Sequence, residues 1–229
     1  MGVRSTGNHP TTTKADGHLL EYFRKTFSAG GGADLPPPLT GMVASGGIIS
    51  DYTDAGSGAI YRAHIFTSSG TFSVTDLGDL ISNGLSDYLV VAGGGSGAPQ
   101  ASGGLYSASG GGGAGGLRTS LPGIMPATSS QIPFSVGNHA IVIGAGGGAP
   151  TTSIINNGRP GTDTSLAYNG GTITSNGGGG GGETQQSGLT GGSGGGQGGN
   201  NHASSRTGGA ANPNSDPTRQ GYPGTTLAT

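Results

Sequence analysis

The stretch SDYLVVAGGGSGAP, residues 86–99, runs from a strand-like sequence directly into glycine. Tyr88, Leu89, Val90 and Val91 form a continuous apolar run, which is typical of a buried strand. A strand that ends in a glycine-rich turn is also how a dinucleotide-binding domain begins, because the turn brings a helix N-terminus to the pyrophosphate. The glycines at 93–97 therefore either hold a phosphate or have a structural purpose.

The sequence after residue 97 does not suit a nucleotide site. A dinucleotide-binding unit needs a helix after the glycines and an acidic residue about 20 positions further on. Pro99 and repeated glycine prevent a stable helix here, and no Asp or Glu occurs between Asp87 and Asp163. A P-loop needs Gly-Lys before Ser or Thr, and neither Lys14 nor Lys25 follows a glycine. We predict a protein that is not an enzyme, with no catalytic site and no cofactor.

Other ligand classes are also disfavoured by the composition. The chain has no Cys, and its five histidines are scattered, so no metal site is predicted. A net charge of −2 offers no electrostatic footprint for nucleic acid. No apolar run approaches the roughly 20 residues of a membrane span, and the N-terminus MGVRSTGNHP lacks the apolar region of a secretory signal. We expect synthesis in a cytoplasm without a signal peptide, and no membrane insertion.

The distribution of large side chains divides the chain into three parts. Of 229 residues, 54 are Gly, and eight of the twelve aromatic residues lie in the first 88 positions. We predict an N-terminal arm, helix and Pro-rich spacer at 1–45 and a small antiparallel β unit at 46–86. A glycine-rich distal domain with polar loops is predicted at 87–229.

The N-terminal part contains one amphipathic pattern. Leu19, Leu20, Phe23 and Phe27 recur at helical spacing, and Pro36–Pro38 then form a stiff spacer. The apolar stripe either packs on the next domain or docks onto another protein. We predict the second, with these four residues as an assembly anchor that contacts another protein.

The β unit shows strand periodicity. Residues 58–67 and 71–76 alternate between apolar and polar side chains, with Ser68–Gly70 between them as a turn. This pattern predicts a hairpin, and residues 46–54 are expected to supply a partner strand. His64 falls in mid-strand, where we expect a structural position.

Short apolar pieces and glycine runs alternate through the distal domain. Glycine can adopt an extended left-handed helix with three residues per turn. Such helices can pack side by side when their N–H and C=O groups bond to neighbouring helices. The predicted fold is therefore mainly β and irregular, with short strands and packed polyglycine II-type helices. The glycines predicted in this packed core are Gly93, Gly94, Gly95, Gly112, Gly113, Gly146, Gly147, Gly179, Gly180 and Gly195.

A resemblance to a known class of protein follows from these pieces. The series YRAHIFTSSGTFSVTDLG, DYLVVAGGGSGA, GGGGAGGLRTS, IVIGAGGGAP and NGGTITSNGGGGGG resembles the glycine-rich domains of bacteriophage virion proteins. It is similar in style to the tip adhesins of T-even-type tail fibres. The resemblance covers roughly 59–199 and implies stacked polyglycine helices with receptor-binding loops between them. Residues 1–45 do not resemble the attachment domain of those adhesins, so attachment to either tail or capsid stays open.

The resemblance implies a structural protein on the virion surface that attaches to a host glycan or outer-membrane protein. A decoration or fibre protein without receptor binding is an alternative, as is a bacterial surface or matrix protein. Self-association as a homo-oligomer is also open. Aromatic faces and planar Arg donors suit host-surface targets. The receptor-binding candidates in the distal loops are Tyr106, Arg118, Gln185, Gln186, His202, Arg206 and Tyr222.

Overall fold

The computed structural model describes residues 41–78, 84–99, 108–121, 130–150, 157–199, 206–212 and 219–226. Gly41–Thr229 forms one compact unit. Its described residues contain strands and irregular segments but no helix, and every strand pair is antiparallel. The prediction of a mainly β fold is therefore confirmed, whereas the helix predicted around Leu19–Phe27 lies outside the described residues. None of the described residues belongs to a helix long and apolar enough to cross a membrane.

Eleven strands occur in the described part of the chain. They are β1 (Val43–Ser45), β2 (Ile48–Thr53), β3 (Ile60–Ile65), β4 (Gly70–Asp76), β5 (Leu85–Ser86), β6 (Leu89–Val91), β7 (Leu117–Thr119), β8 (Ile132–Pro133), β9 (Gly137–Val142), β10 (Thr164–Tyr168) and β11 (Gly171–Ser175).

The largest sheet has five strands in the order β1-β4-β9-β10-β11. It combines β1 and β4 from the early part of the chain with three strands from the glycine-rich part, so it extends across the boundary predicted near residue 86. A two-residue turn joins β10 to β11. Gly170 in that turn has a φ of +122°, at which a residue with a side chain would be strained. Three two-stranded sheets, β2-β3, β5-β8 and β6-β7, complete the described strands.

The hairpin predicted from residues 58–67 and 71–76 is wrong in its pairing. Both strands exist, as β3 and β4, but β3 pairs with β2 while β4 pairs with β1 and β9. Residues Ser68–Gly70 therefore connect strands of different sheets. The alternating pattern identified each strand, but it carries no information on which neighbour the strand takes, because pairing depends on residues distant in sequence.

The apolar core is small and lies between the sheets. Phe72 contacts Phe134 edge to face at 5.0 Å between ring centroids, and His139 packs edge to face on Phe134 at 4.8 Å. His64 packs on Phe72 at 5.0 Å, and its Nδ1 lies 2.8 Å from the Gly46 carbonyl oxygen, which is a structural position. The buried cluster consists of Phe72, Val74, Tyr88, Val90, Ile132, Phe134, Ile141 and Ile173.

Candidate functional site

Beyond the sheets, the described part of the chain forms nine extended segments without a regular strand pattern, and together we name them the glycine bundle. In chain order they are segment 1 (92–98), segment 2 (108–116), segment 3 (144–148), segment 4 (157–163), segment 5 (176–183), segment 6 (186–189), segment 7 (191–199), segment 8 (206–212) and segment 9 (219–226).

Hydrogen bonds between the segments recur every three residues. In segment 1, the N–H groups of Ala92, Gly95 and Ala98 donate to carbonyl oxygens of segment 2. The N–H groups of Gly93 and Ser96 donate instead to segment 4. Residues three apart thus face the same neighbouring segment, and consecutive residues face different ones. This is the geometry of an extended helix with three residues per turn. The segments are held together through their backbones rather than through apolar side chains.

Segment 5 is the innermost segment of the bundle. All residues from 177 to 183 are buried. Its backbone exchanges hydrogen bonds with segments 1, 2, 4, 6 and 7. Two side chains complete the pairing, because Gly177 N–H donates to Asp163 Oδ1 at 2.8 Å and Glu183 N–H donates to Asn157 Oδ1 at 3.0 Å. Six of the seven N–H groups between 177 and 183 are therefore bonded.

Most of the glycines predicted in the packed core have no room for a side chain. A Cβ on Gly179 would overlap the Leu189 carbonyl oxygen, and one on Gly180 would overlap that of Gly158. Gly94 and Gly146 differ, because a Cβ there would only reach ordinary contact at 3.6 Å. Overlap with a backbone carbonyl is found at Gly93, Gly95, Gly112, Gly113, Gly147, Gly179, Gly180 and Gly195.

The hydrogen-bond registers give the direction of each segment. Segment 1 is antiparallel to segments 2 and 4, because the residue numbers of its bonded partners fall along those segments. It is parallel to segment 5, where the partner numbers rise. Segment 7 is parallel to segment 5, and segment 6 runs antiparallel between them. Strands β6, β9 and β11 enter the bundle at one end, and β7 and β10 leave it at the same end. We name this the strand end and the opposite one the loop end.

Four chain connections have their described ends at the loop end. They join residues 99 and 108, 150 and 157, 183 and 186, and 199 and 206. Only the third is wholly described; the central residues of the other three lie outside the described part of the chain. Convergence follows from the alternating directions, because each segment that arrives from the strand end must return there.

The turn at 183–186 has a strained residue. Gln186 N–H donates to the Glu183 carbonyl oxygen at 2.8 Å, which closes a four-residue turn. Gln185 occupies its third position with a φ of +72°, and it is the one non-glycine residue with positive φ in the described part of the chain. Turns of this kind normally place Gly or Asn there, because a Cβ is unfavourable. A strained, exposed side chain is a candidate for a functional position.

Glu183 is the largest fully buried side chain in the described residues, with 1% exposure. Its Oε2 has no hydrogen-bond partner there. Sequence reasoning missed both Glu183 and the strain at Gln185. The available signal was that Glu183 is the one acidic residue between Asp163 and Asp216, at the end of the longest glycine run.

The receptor candidates occupy different parts of the bundle. Gln185 and Gln186 are exposed at the loop end, and Arg206 begins segment 8 there. Arg118 lies in β7 at the strand end, where its Nη1 donates to the Thr174 carbonyl oxygen at 3.4 Å. Tyr222 lies on the side of the bundle and is 58% exposed.

The remaining predicted site residues lie outside the described residues. Tyr106 belongs to the connection between 99 and 108, and His202 to that between 199 and 206. The four assembly-anchor residues of the N-terminal arm are also outside the described part. Within the described ranges, no group of three or more His, Cys, Asp or Glu residues is placed to hold a metal ion.

Comparison with known proteins gives a family. The family model described as a glycine-rich domain matches residues 66–228, which includes most of the large sheet and the whole glycine bundle. Neither the curated proteins nor the solved structures contain a match to the chain. Because the family model covers more than half of the chain, the protein belongs to the glycine-rich domain family.

Proposed function

We propose that this protein is a non-enzymatic structural protein of a bacteriophage virion, a fibre or adhesin that presents polar loops for attachment to the host surface. The observation that carries the proposal is the convergence of four connections at one end of a bundle whose other end continues into sheets. Binding residues are commonly found on loops that a rigid scaffold positions. The resemblance of residues 59–199 to phage glycine-rich domains supplies the biological setting.

We further propose that the nine segments are polyglycine II-type helices. The three-residue recurrence of hydrogen bonds supports this, as does the absence of room for a Cβ at most of the core glycines. A bundle of this kind is rigid without large side chains, which accounts for a chain in which only 30% of residues are hydrophobic.

The chemistry of the connections suits a polar receptor. Residues 100–107 read QASGGLYS and residues 200–205 read NNHASS. Among the described residues, Gln185, Gln186 and Arg206 lie at the loop end. Hydroxyl, amide and guanidinium groups donate and accept hydrogen bonds, and a Tyr ring supplies an apolar face. These groups suit a glycan or the loops of an outer-membrane protein. In this proposal Arg118, at the strand end, is not part of the receptor site.

Competition for adsorption tests the attachment function. Purified protein is expected to reduce adsorption of the phage to its host. The triple variant Tyr106→Ala, Gln185→Ala, Arg206→Ala is expected to lose this competition without a lower melting temperature. Arg118→Ala is the matched control, because it removes a guanidinium at the opposite end of the bundle. If the unmodified protein does not compete, it is a decoration or spacer and the receptor assignments are wrong.

Attachment to the virion is proposed to use the N-terminal segment. Leu20→Asp with Phe23→Asp removes the apolar stripe and is expected to leave a soluble protein that is absent from purified virions, as measured by mass spectrometry. Normal copy number of this variant in virions would place the anchor elsewhere.

A further inference from the structure

A groove of about 570 Å³ lies along the side of the glycine bundle. Segment 2 forms one wall, segment 7 the floor and segment 9 the other wall. Half of its lining residues are glycines, and the exposed Tyr222 lies on the wall of segment 9. Its lining residues include Gly111, Gly112, Gly194, Gln197, Tyr222 and Thr225.

The floor of the groove has five neighbouring segments. From Ser193 to Gly199, the N–H groups of segment 7 donate in three directions, every third residue to segment 2, to segment 6 or to segment 9. The first two N–H groups of the segment differ, because Gly191 donates to segment 8 and Gly192 to segment 5. The carbonyl groups of segment 7 accept in two further directions, from segment 5 at Ser193 and Gly196 and from segment 8 at Gly195. An extended helix with three residues per turn has three donor and three acceptor directions. One acceptor direction of segment 7 is therefore left.

The carbonyl groups of that direction belong to Gly194 and Gln197, and both residues line the groove. Neither carbonyl accepts a hydrogen bond from another described residue. Gly191, three residues earlier, accepts the N–H of Asn212 in segment 8 at 2.7 Å. The acceptor direction without a partner among the described residues is therefore carried by Gly194 and Gln197 alone.

Further groups in the groove lack protein partners in the described part. Gln197 Oε1 is buried without a hydrogen-bond partner. On the opposite wall Gly111 and Gly112 are exposed, and neither N–H donates to a described residue. The groove therefore offers acceptors on its floor and donors on its wall, and the two acceptors have the three-residue spacing by which the segments bind one another.

From this we propose that the groove binds an extended, glycine-rich segment of another polypeptide, which takes the sixth position around segment 7. The occupant has three residues per turn, donates N–H groups to the Gly194 and Gln197 carbonyls, and carries hydrogen or small side chains on the faces that meet segments 2 and 7. A bulky side chain is excluded on those faces for the same reason that it is excluded inside the bundle. This inference does not depend on the virion or receptor proposals.

The probe for this site is a fluorescein-labelled peptide with the sequence GGSGGGQGG, that of residues 191–199. We expect saturable binding by the full chain, measured by fluorescence anisotropy, with a dissociation constant below about 1 mM. A sarcosine nonamer carries the same atoms along its backbone but no internal N–H donors. It is expected not to bind, and equal binding of the sarcosine peptide would contradict donation to the two carbonyls.

Two leucine variants locate the binding. A Cβ on Gly111 meets no atom within 4 Å, so Gly111→Leu projects into the groove without disturbing the bundle. It is expected to weaken peptide binding by at least about tenfold. Gly148→Leu is the matched control, because its Cβ also meets no atom within 4 Å and the residue does not line the groove. Absence of binding to the unmodified protein, or equal effects of the two variants at unchanged melting temperature, would overturn the proposal.

Discussion

Gly179 and Gly180 lie in the innermost segment, where each α-carbon faces the carbonyl oxygen of another segment. In most protein interiors side-chain volume fills the core. Here the missing side chain lets backbones approach closely enough to exchange hydrogen bonds. Neither residue has a positive φ, so the backbone conformation does not require glycine at these positions. Glycine is required because a Cβ would overlap a neighbouring backbone.

Alanine at Gly179 or Gly180 is expected to lower the free energy of unfolding by about 3 kcal/mol, because even one methyl group overlaps a backbone oxygen. Valine is expected to prevent folding. Alanine at Gly111 or Gly148 should be near neutral, since the Cβ meets open space. Chemical denaturation measures the free energy of unfolding of the four alanine variants. Equal stability of the four would mean that the segments are not packed.

At Gln185, in contrast to Gly179 and Gly180, glycine is expected to be the more stable residue. Glycine at this position removes the strain of a side chain at φ +72° and is expected to raise the free energy of unfolding by about 1 kcal/mol. If the Gln185 side chain contributes to receptor binding, the same variant competes less well with phage for the host. A lower melting temperature for Gln185→Gly would show that the side chain stabilises the turn in spite of its conformation.

Glu183 is buried with Oε2 unpaired among the described residues. A buried oxygen without a hydrogen-bond partner costs stability, and it costs more on a charged group than on a neutral amide of the same shape. Glu183→Gln is therefore expected to raise the melting temperature at neutral pH, by differential scanning calorimetry. A lower melting temperature would indicate that the carboxylate takes part in a stabilising contact.

At the scale of elements, the β2–β3 hairpin shows how a strand pair is held outside the main sheet. Its two strands are in register over six residue pairs, but they pair with no other described strand. Tyr52 stacks on Tyr61 at 5.2 Å between ring centroids, and Asp51 forms a two-point ion pair with Arg62. Such cross-strand pairs are the main stabilising units of a two-stranded sheet.

The ion pair has a defined dependence on pH. Hydrogen bonds from Arg62, and secondarily its charge, hold the pKa of Asp51 below its usual value. A lowered pKa in the folded state contributes stability above the ordinary pKa, and this contribution is lost as the pH falls through the folded value. Arg62→Gln is expected to raise the pKa of Asp51, as followed by carboxyl carbon NMR shifts. The melting temperature at neutral pH should hardly change, because exposed pairs contribute little. An unchanged pKa would contradict the assigned cause.

Element positions were predictable from the sequence to the extent that they depend on local pattern. The runs around Val90, Leu166 and Ile173 are strands as expected, since continuous or alternating apolar residues indicate strands directly. The partners of β3 and β4 were not predictable, because nothing in their alternation distinguishes β2 from β9. The strained backbone of Gln185 could not be predicted from the neighbouring sequence either, because the segments on both sides of a turn determine its type.

At the scale of the whole molecule, the composition predicted close glycine packing but not its arrangement. Ser96, Ala114 and Ser193 are small residues that interrupt the runs, and Gln197 is an exception. The choice of neighbouring segments depends on registers between residues far apart in sequence, such as Gly178 with Gly93. The same registers bring the described ends of four connections to the loop end. The groove beside segment 7 was unpredictable for the same reason.

The central claim is that the glycine runs form a bundle joined by backbone hydrogen bonds, and amide hydrogen exchange of residues 177–183 tests it most directly. Buried, bonded amides exchange only when the structure opens. The account predicts that the six bonded amides of this run are among the slowest in the protein and exchange only with global unfolding. Exchange of these amides at the rate of an unstructured glycine-rich peptide would contradict it.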